Sequence, residues 1–408
     1  MTSSPTPRRA ATGALFALAV GSFGIGMTEF VVMGLLPEIA RELLPSAWAA
    51  SQADAIASAG WLITLYALGV VIGAPTIAAS VAKYPRHRVM LLLALALTVC
   101  NALTLFLPTF ELVAASRLLA GLPHGAYFGI GALVAADVMG PGNRAKGVAF
   151  VLTGLTVANV VGVPLGTFLG QHLGWRWAFV LVVAIFAAAT ALIAATVPAH
   201  AGEPSRTIRA ELGVFRIGQV WLALGIGAVG FGGFFAVYTY VAPLVTEVAG
   251  SPAWTVPIVL VILGIGMTVG NLIGGHLADV NLIRALFGLM GLLILAQALL
   301  ALTSGWIVTL VAFVFLVGFA SSAVSPTIQT RLMDVAGDNQ SIAAALNHSA
   351  LNTGNALGAA LGGAVIAAGL GFTAPVWVGL ALAVGGLGIA VLSVALERRS
   401  SRRAEALV

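Results

Sequence analysis

The chain has 408 residues, 60% of them hydrophobic and only 8% charged, with a formal net charge of +5. Soluble domains carry about 25% charged residues, so a chain this poor in charge cannot cover a water-facing surface. The composition excludes a soluble globular enzyme, a disordered chain and a nucleic-acid-binding protein. It leaves an all-α polytopic membrane protein, because the long apolar runs do not alternate as the strands of a membrane barrel do.

A membrane span needs about 20 mostly apolar residues. By that measure the sequence predicts twelve: 13–36, 56–81, 89–107, 112–138, 147–170, 176–197, 217–243, 254–278, 284–302, 306–330, 341–368 and 375–396. Arg8 and Arg9 ahead of the first run look like the start of a signal peptide. The apolar stretch is long, however, leads into Glu29 and offers no well-placed small-residue cleavage site, so it reads as an uncleaved first span. The longest interior polar stretch, 198–216, predicts a cytoplasmic linker. It separates an N-terminal six-helix bundle, 1–197, from a C-terminal six-helix bundle, 217–408, that ends in a short basic tail. With the N-terminus inside, 16 of the 19 Lys and Arg residues fall on inside segments, Arg331 among them. Arg41 and Arg176 fall outside, and Arg117 lies within span four. That bias predicts both termini in the cytoplasm of a cell (inner) membrane.

The halves repeat. Asn159-x-x-Gly162-x-x-Leu165-Gly166 in span five recurs 196 residues later as Asn355-x-x-Gly358-x-x-Leu361-Gly362. Gly121, Asp137 and Gly140 recur 197 residues later as Gly318, Asp334 and Gly337, and Gly69 and Gly73 recur as Gly266 and Gly270. An offset of six helices with both copies in one orientation is a parallel duplication. Transporters built that way hold substrate near mid-membrane, where the halves meet.

These residues resemble the major facilitator superfamily, in particular its twelve-span drug:proton antiporters, over essentially the whole chain. Arg117-x-x-x-Gly121 is similar to that family's motif B. Gly154, Gly162, Pro164, Gly166 and Gly170 resemble the antiporter motif of span five, with Ala158 in place of one usual glycine. Gly275-His276-Leu277-Ala278-Asp279 with Arg284 resembles motif A. Gly26-x-x-Glu29-Phe30, together with His124-Gly125, is similar to the branch of sugar, nucleoside and chloramphenicol exporters. After span two, Ala82 stands where Asp279 stands in the second half, and the basic cluster Lys83, Arg86, His87 and Arg88 lacks its acid. The resemblance implies a fold of two pseudo-symmetric six-helix bundles and a tight contact between spans five and eight. It also implies a cytoplasmic latch in which Asp279 meets the start of span five near Ala145–Gly147. In the first half, Arg86 or Arg88 would pair with Asp338 instead.

Glu29 is the one acid well inside a span, and a bare carboxylate in hydrocarbon costs several kcal/mol unless it faces a cavity, pairs or stays protonated. It is the first candidate to carry a coupling proton; the alternative is a carboxyl hydrogen-bonded for packing. Arg117 is the one base placed deep in a span. Counted at about 1.5 Å per residue, both lie about 10 Å from the outer surface, so Arg117 would hold Glu29 ionised; the alternative is an arginine that snorkels to the interface. His124, two turns from Arg117, would relay the proton, hydrogen-bond substrate or be structural. Tyr66, Tyr127, Tyr238, Tyr240, Asn271, Asn352 and Asn355 supply hydroxyls and amides to a cavity poor in charge, which favours neutral or amphipathic substrates.

The two lysines, Lys83 and Lys146, are not part of a P-loop, and no catalytic motif, cofactor motif or metal-ligand cluster is present; Cys100 is the single cysteine. Energy must therefore come from a gradient. The sequence predicts a proton-coupled exporter of small organic molecules, of drug, sugar or nucleoside type, working by alternating access. Its partners would be substrate, protons and lipid, and one chain would suffice. A facilitator or a proton symporter is the alternative within transport; a membrane receptor or enzyme is the alternative outside it.

Overall fold

The computed structural model describes residues 8–81, 84–140, 142–199, 216–336 and 340–405. Ala82, Lys83, Asp338 and linker residues 200–215 lie outside the described residues. All regular structure in the described residues is helical, and eleven helices are long and apolar enough to cross a membrane.

One of the eleven, Thr255–Thr303, has 49 residues. At 1.5 Å per residue it would be about 74 Å long if straight, against a hydrocarbon core of about 30 Å. Asn281 resolves the mismatch. Its backbone leaves helical geometry (φ −160°, ψ 96°), and its Oδ1 accepts a hydrogen bond from the Arg284 amide at 3.0 Å. That is an N-cap, which starts a new helix. The run is therefore spans eight and nine, joined by one residue where the sequence predicts a loop over 279–283, and the count of twelve stands.

Contacts divide the chain into two compact units, Met1–Arg206 with Pro252–Val261, and Thr207–Ser251 with Ile262–Val408. Within each, the repeated glycines have the same work. A Cβ on Gly69 would strike the Leu118 carbonyl of span four, and one on Gly73 the Leu122 carbonyl. In the second unit, a Cβ on Gly266 would lie 2.5 Å from the Phe315 carbonyl of span ten, and one on Gly270 would strike the Phe319 carbonyl. Small residues let two backbones meet without side chains between them, so the repeat read in the sequence is a repeated seam, span two on span four and span eight on span ten.

Three boundaries differ from expectation. Span two is interrupted near Gly60, between the helices Gln52–Ala59 and Trp61–Val81. Span seven, Gly218–Thr239, stops at Tyr240 (φ −111°, ψ 24°), short of the predicted 243. Span ten continues to Ala336, past the predicted 330. The last difference corrects the placement of Arg331 on a connecting segment. It is 4% exposed, and its Nη2 lies 2.9 Å from Glu397 Oε2 and 3.1 Å from Ser393 Oγ of span twelve.

Two short helices, Leu36–Leu43 and Pro45–Ala50, join spans one and two. Glu42 pairs there with Arg176, and the Arg41 guanidinium stacks on the Trp48 ring at 5.1 Å. Burial pushes the Glu38 carboxyl above the usual carboxylate range, opposed by its own backbone amide and by Arg41.

Candidate functional site

Span four, Phe110–Met139, is capped by the Thr109 hydroxyl, which accepts from the Leu112 amide at 3.4 Å. Two turns in, Arg117 is 1% exposed. Burying a guanidinium costs free energy unless its donors find partners; four other spans close around this one and its two Nη groups are met, while Nε has no hydrogen-bond partner among the described residues. Nη1 donates to Thr28 Oγ1 at 2.8 Å and Nη2 to the Thr28 carbonyl at 2.6 Å. Thr28 Oγ1 donates in turn to Asn101 Oδ1 of span three at 2.5 Å, and Asn101 Nδ2 to the Leu97 carbonyl at 2.8 Å. The guanidinium carbon lies 4.1 Å from the centroid of the Tyr66 ring of span two and 5.5 Å from that of Phe179 of span six, distances at which ring faces stabilise a cation. Arg117 is locked in place; it does not snorkel.

Glu29 follows Thr28 in the chain, is 6% exposed, and interacts electrostatically with Arg117 and Tyr66. Arg117 thus binds Thr28, the residue next to Glu29 in the chain. His124 is 2% exposed, with its ring centroid 5.6 Å from that of Tyr66 and 5.4 Å from that of Phe128. Tyr66 is thus the common neighbour of Arg117 and His124. An arginine does not release its proton in a protein. In this group Glu29 and His124 are the residues able to exchange one, and Arg117 is a fixed positive charge that biases them.

Sequence reasoning missed Thr28, Asn101 and Phe179. A signal for Asn101 existed: a lone amide in the apolar run 89–107 has to find a partner. Nothing in the sequence pointed to Thr28, because its partners lie 73 and 89 residues away.

The remaining predicted residues are dispersed. Tyr127 donates its hydroxyl to the Leu18 carbonyl at 3.2 Å, and Tyr240 to the Ala359 carbonyl at 2.8 Å, so both serve packing within their own unit. The Tyr238 ring packs tilted against that of Phe234, with centroids 5.3 Å apart and planes at 53°. Asn352 and Asn355 are buried on span eleven, and Asn271 is exposed on span eight.

Span five carries a widened π turn, Ala158–Gly162, just before Pro164. Proline has no amide hydrogen and crowds the carbonyl four residues back, and a π turn relieves that clash. A Cβ on Gly162 would lie 2.7 Å from Met27 Cγ, and one on Gly166 2.8 Å from Val31 Cγ2. One on Gly170 would strike Leu35, and one on Gly154 the Ala19 carbonyl. The surface these glycines fit is span one.

Arg86 pairs with Asp137 of span four; the partner expected for Arg86 or Arg88, Asp338, lies outside the described residues. Arg88, Asp279 and Arg284 are exposed, and Gly275 is half-buried.

The profile of the Major Facilitator Superfamily matches residues 18–339. The chain belongs to this superfamily. It is 37% identical over 389 residues to the inner membrane transport protein YdhP of Escherichia coli (strain K12), covering 94% of this chain and 96% of that one. It is 31% identical over 378 residues to a chloramphenicol resistance protein of Streptomyces lividans, covering 91% and 92%. Among solved structures, the human organic anion transporter MFSD10 superposes with a TM-score of 0.68 at 17% identity, over 95% of this chain and 100% of that one, a likeness of fold alone. The protein is a multi-pass membrane transporter of the major facilitator fold, and not an enzyme.

Proposed function

We propose that this transporter is a proton-coupled exporter of small uncharged or amphipathic organic molecules, working by alternating access. The observation that carries the reading is the buried carboxylate of Glu29 beside an arginine that four other spans enclose. A permanently charged Arg117 favours ionised Glu29; protonation removes that attraction and changes the balance of charge in a low-dielectric site. His124, in contact with Tyr66, is the second group able to take the proton. The likeness to a chloramphenicol resistance protein supports a drug-type substrate and the outward direction. The inner-membrane relative supports the same membrane for this chain, and the Lys and Arg bias supports cytoplasmic termini. The exposed Asp279 would act as the cytoplasmic latch, attracted by the positive end of span five. One chain would transport by itself.

The test is chloramphenicol flux in proteoliposomes containing the full chain. Accumulation against a gradient, driven by an imposed opposite proton gradient, is the expected result. Equal flux with and without the pH difference would establish a facilitator. Accumulation along the proton gradient would establish a symporter.

A further inference from the structure

Span twelve belongs to a helix, Ala374–Glu405, that continues past the apolar stretch. One side of this helix is tied to its own unit. Ser393 and Glu397, four residues apart, both contact Arg331 of span ten, so their direction marks the inward face. The opposite face is open. Trp377, Val384, Val391 and Leu392 are 47–52% exposed, and at about 100° per residue they fall within an arc of about 100°. Large apolar side chains exposed along a membrane helix face lipid chains.

Arg398 and Arg399 are exposed and prolong that stripe, and the helical register puts positions 402 and 403, also arginines, on the same side. The centre of these four positions lies about 170° round the helix from that of Ser393 and Glu397. Depth follows from length. From Trp377 to Arg398 the helix rises about 32 Å, close to the ~30 Å of a hydrocarbon core. An aromatic at one end and arginines at the other mark the two membrane interfaces, so the arginines stand at headgroup depth. Among the described residues neither Arg398 nor Arg399 makes an ion pair, and the adjacent Glu397 is bound to Arg331. The other acid of this helix, Glu405, is its last residue.

We propose that this face binds an anionic phospholipid, with an acyl chain along Val384, Val391 and Leu392 and the headgroup phosphate on Arg398 and Arg399. Guanidinium groups meet phosphate oxygens through paired N–H donors, and basic residues just beyond a span attract anionic lipid. A zwitterionic lipid carries an ammonium beside its phosphate and is held less tightly. A water-soluble anion meets the arginines alone, without the apolar stripe.

The experiment is native mass spectrometry of the full chain in a neutral detergent. The probes are phosphatidylglycerol, phosphatidylcholine with the same acyl chains, and inorganic phosphate. Phosphatidylglycerol should bind about ten-fold tighter than phosphatidylcholine, and excess inorganic phosphate should leave it bound. In Arg398→Gln/Arg399→Gln/Arg402→Gln/Arg403→Gln that preference should vanish. A second variant, Arg398→Gln/Arg399→Gln with Ser400→Arg/Ser401→Arg, keeps the net charge but turns two charges off the stripe. It should lose about three-fold or more of the preference. Substitutions at exposed sites seldom perturb a fold, and equal melting temperatures in phosphatidylcholine check this. Equal affinity for the two lipids overturns the proposal, as does an unchanged preference in either variant. Displacement of the lipid by phosphate would show an ion site instead, and a dimer that the quadruple variant abolishes would show a second copy on this face; either contradicts it.

Discussion

The two units share a duplicated frame and differ in what they bury. In the first, a buried arginine, acid and histidine lie close together: Arg117 is tied to Thr28 and Thr28 to Asn101, with Glu29 and His124 around the Tyr66 ring. In the second, span eleven buries neutral amides, and its charged contact, Arg331 with Glu397, joins the ends of spans ten and twelve. The seams are alike because both copies kept glycine at the same offsets. The polar interiors diverged because a seam constrains only the residues in contact.

The sharpest way to break this comparison is to remove the two buried arginines in turn. Arg117→Ala strands Glu29 and the Thr28–Asn101 pair and should cost about 3–5 kcal/mol, with loss of gradient-driven flux. Arg331→Ala removes contacts to a half-exposed Glu397 and should cost about 2 kcal/mol, with coupling retained. Thermal unfolding in detergent and pH-driven flux give both numbers, and loss of coupling in Arg331→Ala would erase the contrast between the units.

The shared seam gives the next test. Gly121→Ala places a methyl 3.0 Å from Gly69 Cα and against the Tyr66 carbonyl, and Gly270→Ala places one against the Phe319 carbonyl. Each should destabilise its unit by about 1–3 kcal/mol. Only Gly121→Ala also displaces Tyr66, so only it should shift the pH dependence of transport.

A smaller effect sharpens the account of the first unit. Asn101→Leu removes the acceptor for the Thr28 hydroxyl and should cost about 1 kcal/mol, while shifting the pH at which transport is half-maximal. A variant that loses stability with an unmoved pH profile would show that Asn101 only packs.

The smallest expected effect concerns Glu38, outside the spans. Its carboxyl is raised by burial, so the folded protein holds the proton more tightly than the unfolded chain. The penalty is full above the raised pKa and vanishes below the ordinary carboxylate range. Glu38→Gln should therefore raise the melting temperature at neutral pH and leave it unchanged in acid. A gain that persists in acid would point to packing instead.

Much of this frame was legible in the sequence, because a span announces itself by length and apolarity alone. The seams were legible as repeated glycines, although the spacing could not say which helix each glycine meets; span five meets span one. The break between spans eight and nine was legible as a loop over 279–283, although the sequence could not say that Asn281 alone would make it by capping the next helix. Arg331 was misplaced because an arginine near a span end looks the same whether it faces solvent or a partner 66 residues away. Glu29, Arg117 and His124 stood out as ionisable groups in apolar runs. Thr28 and Phe179 did not, because a threonine or a phenylalanine is unremarked in a membrane helix.

The central claim is that the first unit carries the proton on Glu29, and one substitution tests it most directly. Glu29→Gln fixes the neutral form while keeping the size of the side chain. In proteoliposomes loaded with chloramphenicol, the variant should lose accumulation driven by a pH gradient and keep substrate exchange at equilibrium, and Glu29→Asp should retain partial activity with a shifted pH optimum. Gradient-driven transport by Glu29→Gln at the native rate would contradict the account and move the proton to another group, His124 first.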